Sequence, residues 1–433
     1  MKLSKGRLAF TLGLLFLINF MNFYDRQVIA AMGESIKREW QLSDSQLSGL
    51  TTAFILLYAV IGIPLGRLAD VAKRKNLLAA GALVWSGFTA LSGFAGNFAA
   101  LFACRLGVGV GEATAAPTGN SLIGDLFPPK QRARAISIFM LGIPLGVGAS
   151  NIISGMVAKS TGGWRPAFFV AAVPGIVLGL LALALPEPPR GAVDPHLAEQ
   201  QESSIESIRT ILRIPTMWWI IASGALFNLS MYALAVFTTS FLIRFHGLDI
   251  DYANRFSGGI YGIGGAVGML FGGWLGDRSV RWGPGGRLKC AAIASFIAAP
   301  LVWAALQQPK GAYWAFFWIM LTSCVVLYVY YATVVSTMHE IVAPRMRGMA
   351  MSVYFFVFYM FTAIGLLSFG KLSDGLAARA LAAGASVTES VSMGLHEALY
   401  VVPLISAIMV PILWIGSRTA VADHAKLHGT SVA

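Results

Sequence analysis

Four ionisable residues stand inside otherwise apolar stretches: Asp25 and Arg26 in the first, Arg105 and Glu112 in the fourth. An ionised side chain at the centre of a bilayer costs at least ~2.5–3.5 kcal/mol on insertion scales, so such groups face a cavity and pair with one another. Their formal charges cancel. Arg105 and Glu112 are seven residues apart, two helical turns, which puts them on one helix face roughly 10 Å apart. Asn19, Asn22 and Arg26 fall at i, i+3 and i+7 and form a polar stripe on the first span. A carboxylate beside two arginines stays ionised until a substrate anion claims one guanidinium, and then it takes a proton. Competition for one guanidinium is a sufficient coupling device. The constellation therefore points to a proton-coupled anion site, and the competing reading is an ion-pair network that only fixes helix packing.

The elements that must hold these charges are membrane helices. Of the 433 residues 56% are hydrophobic and only 12% charged, against about 25% in an ordinary globular chain. A soluble fold this apolar could not cover its surface. The chain reads as twelve apolar runs, near 8–32, 45–66, 76–96, 98–122, 134–158, 165–185, 215–243, 255–276, 287–306, 312–338, 348–370 and 396–416, each long enough for a bilayer core of about 30 Å. The basic N-terminus before Leu8 mimics a signal peptide, but the run to Tyr24 is long, continues into Asp25-Arg26 and lacks a small-residue cleavage site, so it reads as a retained first span. Of the 32 Lys and Arg, 21 fall on the side of the termini, which places both termini in the cytoplasm. The net charge of +12 belongs to this asymmetry, not to a nucleic-acid surface.

The expected fold class is all-α and polytopic: an N-terminal six-helix bundle over 1–185, a cytoplasmic linker over 186–214, a C-terminal six-helix bundle over 215–417 and a cytoplasmic tail over 418–433. Ile205, Ile208, Ile211 and Leu212 give the linker a short amphipathic helix for the inner membrane surface. The halves repeat. Residues 124–137, Gly-Asp-Leu-Phe-Pro-Pro-Lys-Gln-Arg-Ala-Arg-Ala-Ile-Ser, align with 339–352 at a constant offset of 215, and Gly66-x-x-x-Asp70 recurs as Gly273-x-x-x-Asp277. Parallel six-span repeats point to alternating access around a site between the halves. The repeat counterparts of Arg105 and Glu112 are Met320 and Leu327, so the charge chemistry is confined to the first half. At inner span ends Asp70, Asp125, Asp277 and Glu340 stand near Arg74, Arg132, Arg278 and Arg347 and form a candidate cytoplasmic gate; topology-setting charge is the competing reading.

The second half is aromatic instead. Tyr232, Tyr328 and Tyr359 stand among many rings in spans seven, ten and eleven, and Asn228 is the only Asn or Gln within the last six spans. Hydroxyls of a sugar leaving water need several amides. A charged wall (Asp25, Arg26, Arg105, Glu112, with Asn19 and Asn22) and an aromatic wall (Tyr232, Tyr328, Tyr359, with Asn228) suit an amphiphile instead. Small residues at four-residue spacing, Ala103-Gly107-Gly111-Ala115-Gly119, Gly142-Gly146-Ser150-Ser154 and Gly264-Gly268-Gly272-Gly276, read as close helix packing.

Gly66-Arg-Leu-Ala-Asp70-Val-Ala-Lys-Arg74-Lys resembles the loop signature of the major facilitator superfamily, departing from it at Val71 and Lys73, and Asp277-Arg278 keeps the second copy's pair. Within that superfamily the chain is most similar to the spinster family of lipid transporters, in its bacterial-type form. The likeness rests on Asn22-Phe-Tyr-Asp25-Arg26, Arg105-Leu-Gly-Val-Gly-Val-Gly-Glu112-Ala, Ala116-Pro-Thr, Asp125-Leu-Phe and Glu187-Pro-Pro-Arg-Gly191. Organic-anion/proton symporters of the superfamily share the first-span Asp-Arg and the fourth-span Arg with Glu seven later.

The resemblance implies a secondary transporter in the bacterial inner membrane, acting as a monomer on a lipid-like or amphiphilic anion and drawing on protons, with Na⁺ as the other candidate ion. The alternative is a small organic-anion, sugar-acid type, symporter; a membrane enzyme or receptor is the remote third. Against an enzyme, the sequence holds no G-x-S-x-G, H-E-x-x-H or Walker motif. No cofactor is expected. No metal site is expected either: Cys104, Cys290 and Cys324 lack ligand spacing, and His424 and His428 read as a flexible tail.

Overall fold

The expected alternation of apolar runs and short polar loops produces helices throughout. The computed structural model describes residues 4–189, 204–343 and 346–428. Two compact units emerge, one of residues 1–200 with 249–258 and one of 201–248 with 259–433. The second unit thus lacks the first part of the eighth span, which packs with the first.

Unit 1 holds α1 (Lys5–Trp40), α2 (Asp44–Val71), α3 (Arg74–Gly93), α4 (Phe98–Glu112), α5 (Ala115–Leu126), α6 (Pro129–Met140), α7 (Gly142–Thr161), α8 (Arg165–Ala182) and α11 (Ile250–Gly258). Unit 2 holds α9 (Ser204–Leu212), α10 (Pro215–Arg244), α12 (Gly264–Ser279), α13 (Gly286–Leu306), α14 (Tyr313–Ile341), α15 (Arg347–Ala382), α16 (Val387–Leu399) and α17 (Val401–His428). A π turn, Gly259–Ile263, joins α11 to α12.

Among the described residues, eleven helical segments are long and apolar enough to cross a membrane. The expected third span, α3, falls outside that set; it packs against α4 and α8 inside unit 1. With it the chain has the twelve crossings of the expected all-α polytopic fold. Helix starts follow their caps. Ser43 with Gln46 closes a capping box on α2, Ser386 with Glu389 does so on α16, and Asn97 caps α4.

Several elements outrun their expected bounds. α1 continues eight residues past 32, and its 36 residues span about 54 Å. α15 passes 370, and a separate helix, α16, precedes the last span. The region expected to be a tail is helical to residue 428, because Asp423 accepts hydrogen bonds from the backbone N–H of Thr216 at 3.0 Å and its hydroxyl at 2.6 Å. A carboxylate there satisfies the open amides at the start of α10 and complements its dipole. The linker's helix spans Ser204–Leu212, with Ile211 fully buried; Ile205's side chain and linker residues 190–203 lie outside the described residues.

Small residues let the helices approach as their spacing predicts. A Cβ at Gly111 would stand 2.6 Å from the Trp85 amide nitrogen, and one at Gly268 would stand 2.7 Å from the Val325 carbonyl. Both are closer than carbon can approach, so each glycine is required where α4 meets α3 and where α12 meets α14.

Candidate functional site

Two spans of unit 1 are broken where α1 crosses them. The fourth span stops at Glu112, and Thr114 turns back to the Gly111 carbonyl through both its amide and its hydroxyl before α5 begins. The fifth is broken at Leu141, between α6 and α7. α1 addresses both breaks: Asn19 Nδ2 donates to the Phe139 carbonyl at 2.7 Å, and Asn22 Nδ2 to the Glu112 carbonyl at 3.5 Å. Irregular backbone at membrane depth is stable only when such partners exist. The sequence carries the signals, Gly111 with Pro117 and Gly142 with Pro144, although the four-residue spacing of the glycines points only to packing ridges. Asn19 and Asn22, expected as cavity residues, therefore direct their amide hydrogens at the backbone. Asn22 keeps its oxygen for Arg26, 3.3 Å away.

The four expected charges come together in unit 1, and all are buried. Arg26 grips one carboxylate oxygen of Glu112 with Nε at 3.1 Å and Nη2 at 3.0 Å. Its guanidinium is also enclosed by rings, with Phe23, Phe54 and Tyr58 centred 4.5, 4.8 and 4.7 Å away. Such contacts hold a cation in place with little water. Phe54 meets a second cation, for Arg105 lies 5.5 Å from the same ring. The two arginines are thus unequal. Among the described residues, no nitrogen of Arg105 has a hydrogen-bond partner, and neither has the second oxygen of Glu112, while the Asp25 carboxyl faces the Trp85 indole. Arg105 lies within electrostatic reach of Glu112, Asp25 and Arg26. A charged group that is buried without hydrogen bonds is costly, so unbonded guanidinium and carboxyl groups side by side mark a place for water or ligand.

Among the described residues, unit 2 buries no Lys, Arg or Glu, and its buried Asp423 lies at the start of α10. Met320 and Leu327, at the repeat positions of Arg105 and Glu112, are buried. The expected aromatic residues sort into two kinds. Tyr330 and Tyr354 are fully buried: Tyr330 stacks on Phe227 at 4.3 Å and bonds Ser223 at 2.9 Å. Tyr232, Tyr328, Tyr331 and Tyr359 are only partly buried. Tyr328 is within electrostatic reach of Tyr232 and Tyr331, and Tyr331 of Tyr359. These four, from α10, α14 and α15, cluster. Asn228 does not join them as a donor, because its amide bonds Thr362 Oγ1 at 2.6 Å and ties α10 to α15.

The expected gate residues pair differently from their order in the sequence. Arg74, with no exposed surface, pairs with Asp125 and with Glu187 at 2.8 Å, and it also reaches the Ser121 hydroxyl at 3.1 Å and the Pro188 carbonyl at 2.5 Å. Glu187, which sequence reasoning missed as a partner, further accepts from the Lys75 amide at 3.0 Å. Burial pushes its carboxyl up, but the Lys75 amide and the Arg74 guanidinium outweigh that and hold it below its ordinary value. Arg132 turns to the Gly124 carbonyl, 2.9 Å away, instead of to Asp125.

In unit 2 the corresponding cation is Arg287, also missed: it pairs with Glu340 and reaches Asp277 at 3.7 Å. Arg278, expected beside Asp277, stacks on Trp274 at 5.3 Å. Arg347 stands within electrostatic reach of His339. The Asp70 side chain lies outside the described residues. Each pair that is described lies within one unit. The reason is geometric: a helix-end carboxylate meets the arginine that starts the neighbouring span, and sequence neighbours on one helix point elsewhere. The signal was present, since Arg74 and Arg287 both open the third span of their half.

Residues 15–366 match the family model of the Major Facilitator Superfamily. The chain is 26% identical over 365 residues, 84% of each chain, to an MFS-type efflux pump of Mycolicibacterium smegmatis. It is 35% identical over 246 residues to protein spinster homolog 3 of Danio rerio, covering 56% of this chain and 49% of that one; it thus spans about half of that relative's length. Among solved structures it is similar to a bacterial homologue of the human lysosomal transporter spinster, inward-facing and unoccupied, with a TM-score of 0.85 and 26% identity over 97% of this chain and 99% of that one.

Proposed function

This chain belongs to the Major Facilitator Superfamily, and from that premise we propose that it is a proton-coupled secondary transporter moving a lipid-like or amphiphilic organic anion by alternating access. The observation that carries the proposal is the unequal pair of arginines: Arg26 is held by Glu112, while among the described residues Arg105 has no hydrogen-bond partner. An anionic head group claims the Arg105 guanidinium. As the anion draws positive charge away from the carboxylates, a proton from solvent protonates Glu112 or Asp25, and the site becomes neutral enough to move. Release of the anion reverses the exchange.

The amphiphilic character rests on unit 2, where the partly buried tyrosines offer aromatic surface for a tail. The amide of Asn228, engaged by Thr362, leaves little to receive sugar hydroxyls. Likeness to spinster proteins supports the same class. The excess of Lys and Arg on one side supports cytoplasmic termini in a bacterial inner membrane. We read the chain as a monomeric transporter and not as an enzyme.

The test is uptake by purified protein in liposomes under an imposed pH gradient, with a long-chain lysophospholipid and a sugar acid offered separately. Acid-driven movement of the lysophospholipid supports the proposal. Acid-driven movement of the sugar acid alone replaces it with the small-anion symporter, and dependence on a Na⁺ gradient removes the proton.

A further inference from the structure

At the end of unit 2 opposite Asp423, α10 finishes at Arg244 and the chain turns through Gly247, whose φ of 74° only glycine adopts easily. That turn pushes His246 inward. Its ring lies 5.3, 5.1 and 5.6 Å from the rings of Phe241, Phe245 and Phe316, and only 7% of the residue is exposed. Among the described residues neither ring nitrogen has a hydrogen-bond partner. A second histidine shares the box: His396 of α16 stands 4.3 Å from Phe245 and 5.4 Å from Phe241. Its Nε2 bonds the Leu306 carbonyl at the end of α13, at 2.8 Å, with the Tyr400 hydroxyl 3.3 Å away. Ser392 of α16 donates to the Arg244 carbonyl at 3.2 Å. The two imidazoles and three phenyl rings therefore hold α16 against the ends of α10, α13 and α14.

We propose that this box is a proton-operated latch: neutral His246 and His396 keep α16 closed on the end of unit 2, and protonation of His246 releases it. A protonated imidazole in the box would be a cation without an acceptor, and the rings would return only part of its lost hydration. Burial, and then the neighbouring His396, push His246 down from 6.5 to about 4. Because the closed form resists protonation, the latch is at full strength above the ordinary value and weakens as pH falls from 6.5 towards 4.

The ionisable groups near this end of the surrounding elements are Arg244, Lys310, Tyr313, Glu389, Glu397 and Tyr400. Of the charged ones, Lys310 faces Phe245 at 5.8 Å, and Glu397 and Lys310 act on His396. The latch does not depend on which anion is carried.

Hydrogen exchange of the full chain in lipid nanodiscs, compared at pH 7.5 and 5.0 after correction for intrinsic rates, reads the latch directly. Amides of residues 387–399 should lose protection by roughly tenfold or more at the lower pH. His246→Phe and His246→Gln, neither of which can take the proton, should match the unaltered chain at pH 7.5 and keep their protection at pH 5.0. Equal protection of the unaltered chain at both values overturns the proposal. So does an equal acid loss in either variant, and the second variant guards against the first failing to insert.

Discussion

Arg105 and Glu112 of unit 1 correspond through the internal repeat to Met320 and Leu327 of unit 2, and all four are buried. In unit 1 the buried surface is charged, and the fourth span breaks at Glu112 where α1 can satisfy it. In unit 2 the equivalent span, α14, runs unbroken from Tyr313 to Ile341 and carries tyrosines. At the repeat positions of the charged pair α14 is apolar, and its buried Thr333 and Thr337 hydroxyls bond carbonyls one turn back within the helix, so nothing calls for a break. The same repeat thus supports a charge site in one bundle and an aromatic surface in the other. By contrast, Arg74 with Asp125 and Arg287 with Glu340 kept the same arrangement in both. Chemistry diverged in the core, while the membrane-end ion pairs held.

The largest expected effect tests whether the charged core is machinery. Glu112→Gln should abolish pH-driven uptake in liposomes while leaving insertion and helix content intact, since the Gln oxygen still accepts from Arg26, although the uncompensated Arg26 charge lowers the unfolding midpoint. Normal pH-driven uptake by that variant would reduce the network to helix packing.

Next comes the shared end pair. Arg74→Ala removes a fully buried cation from Asp125 and Glu187 and should cost about 3 kcal/mol. Arg287→Ala, at a more exposed pair, should cost roughly 1 kcal/mol. Denaturant unfolding in detergent measures both, and equal losses would erase the asymmetry.

The aromatic surface is tested by chain length. Affinity for anions of increasing tail length should rise by up to ~0.8 kcal/mol per buried CH₂ until the surface is covered. Tyr359→Ala should flatten that series, whereas Arg105→Ala should weaken every length about equally. Titration calorimetry distinguishes the two, and a series indifferent to length would remove unit 2 from recognition of a tail.

The smallest effect concerns Glu187. Its carboxyl is held below the ordinary 4.5, so its contribution is present above that value and fades as pH falls through the lowered one. Glu187→Gln should lower the unfolding midpoint by a degree or two at pH 7, and the gap should close in acid. A gap independent of pH would mean that packing, and not charge, ties Glu187 to Arg74.

Composition and spacing alone determine that this chain is a twelve-span membrane protein built from two repeats, because apolar length and Lys/Arg placement are local properties that a bilayer reads directly. They also single out Asp25, Arg26, Arg105 and Glu112, since a charge in an apolar run is conspicuous in one dimension. What they cannot assign is partnership. That Arg26 holds Glu112, that Arg105 has no hydrogen-bond partner among the described residues, and that Phe54 of α2 lies against both arginines depend on how these helices pack. That Asn19 and Asn22 serve backbone breaks, and Asn228 serves Thr362, depends on which helices cross at those depths. The pairing of Arg74 with Glu187 joins residues 113 apart in the chain, and His246 comes within electrostatic reach of His396, far along the sequence. Only the tertiary structure brings such groups within reach, because hydrogen bonds and ion pairs act over a few ångströms of space and carry no trace of separation along the sequence.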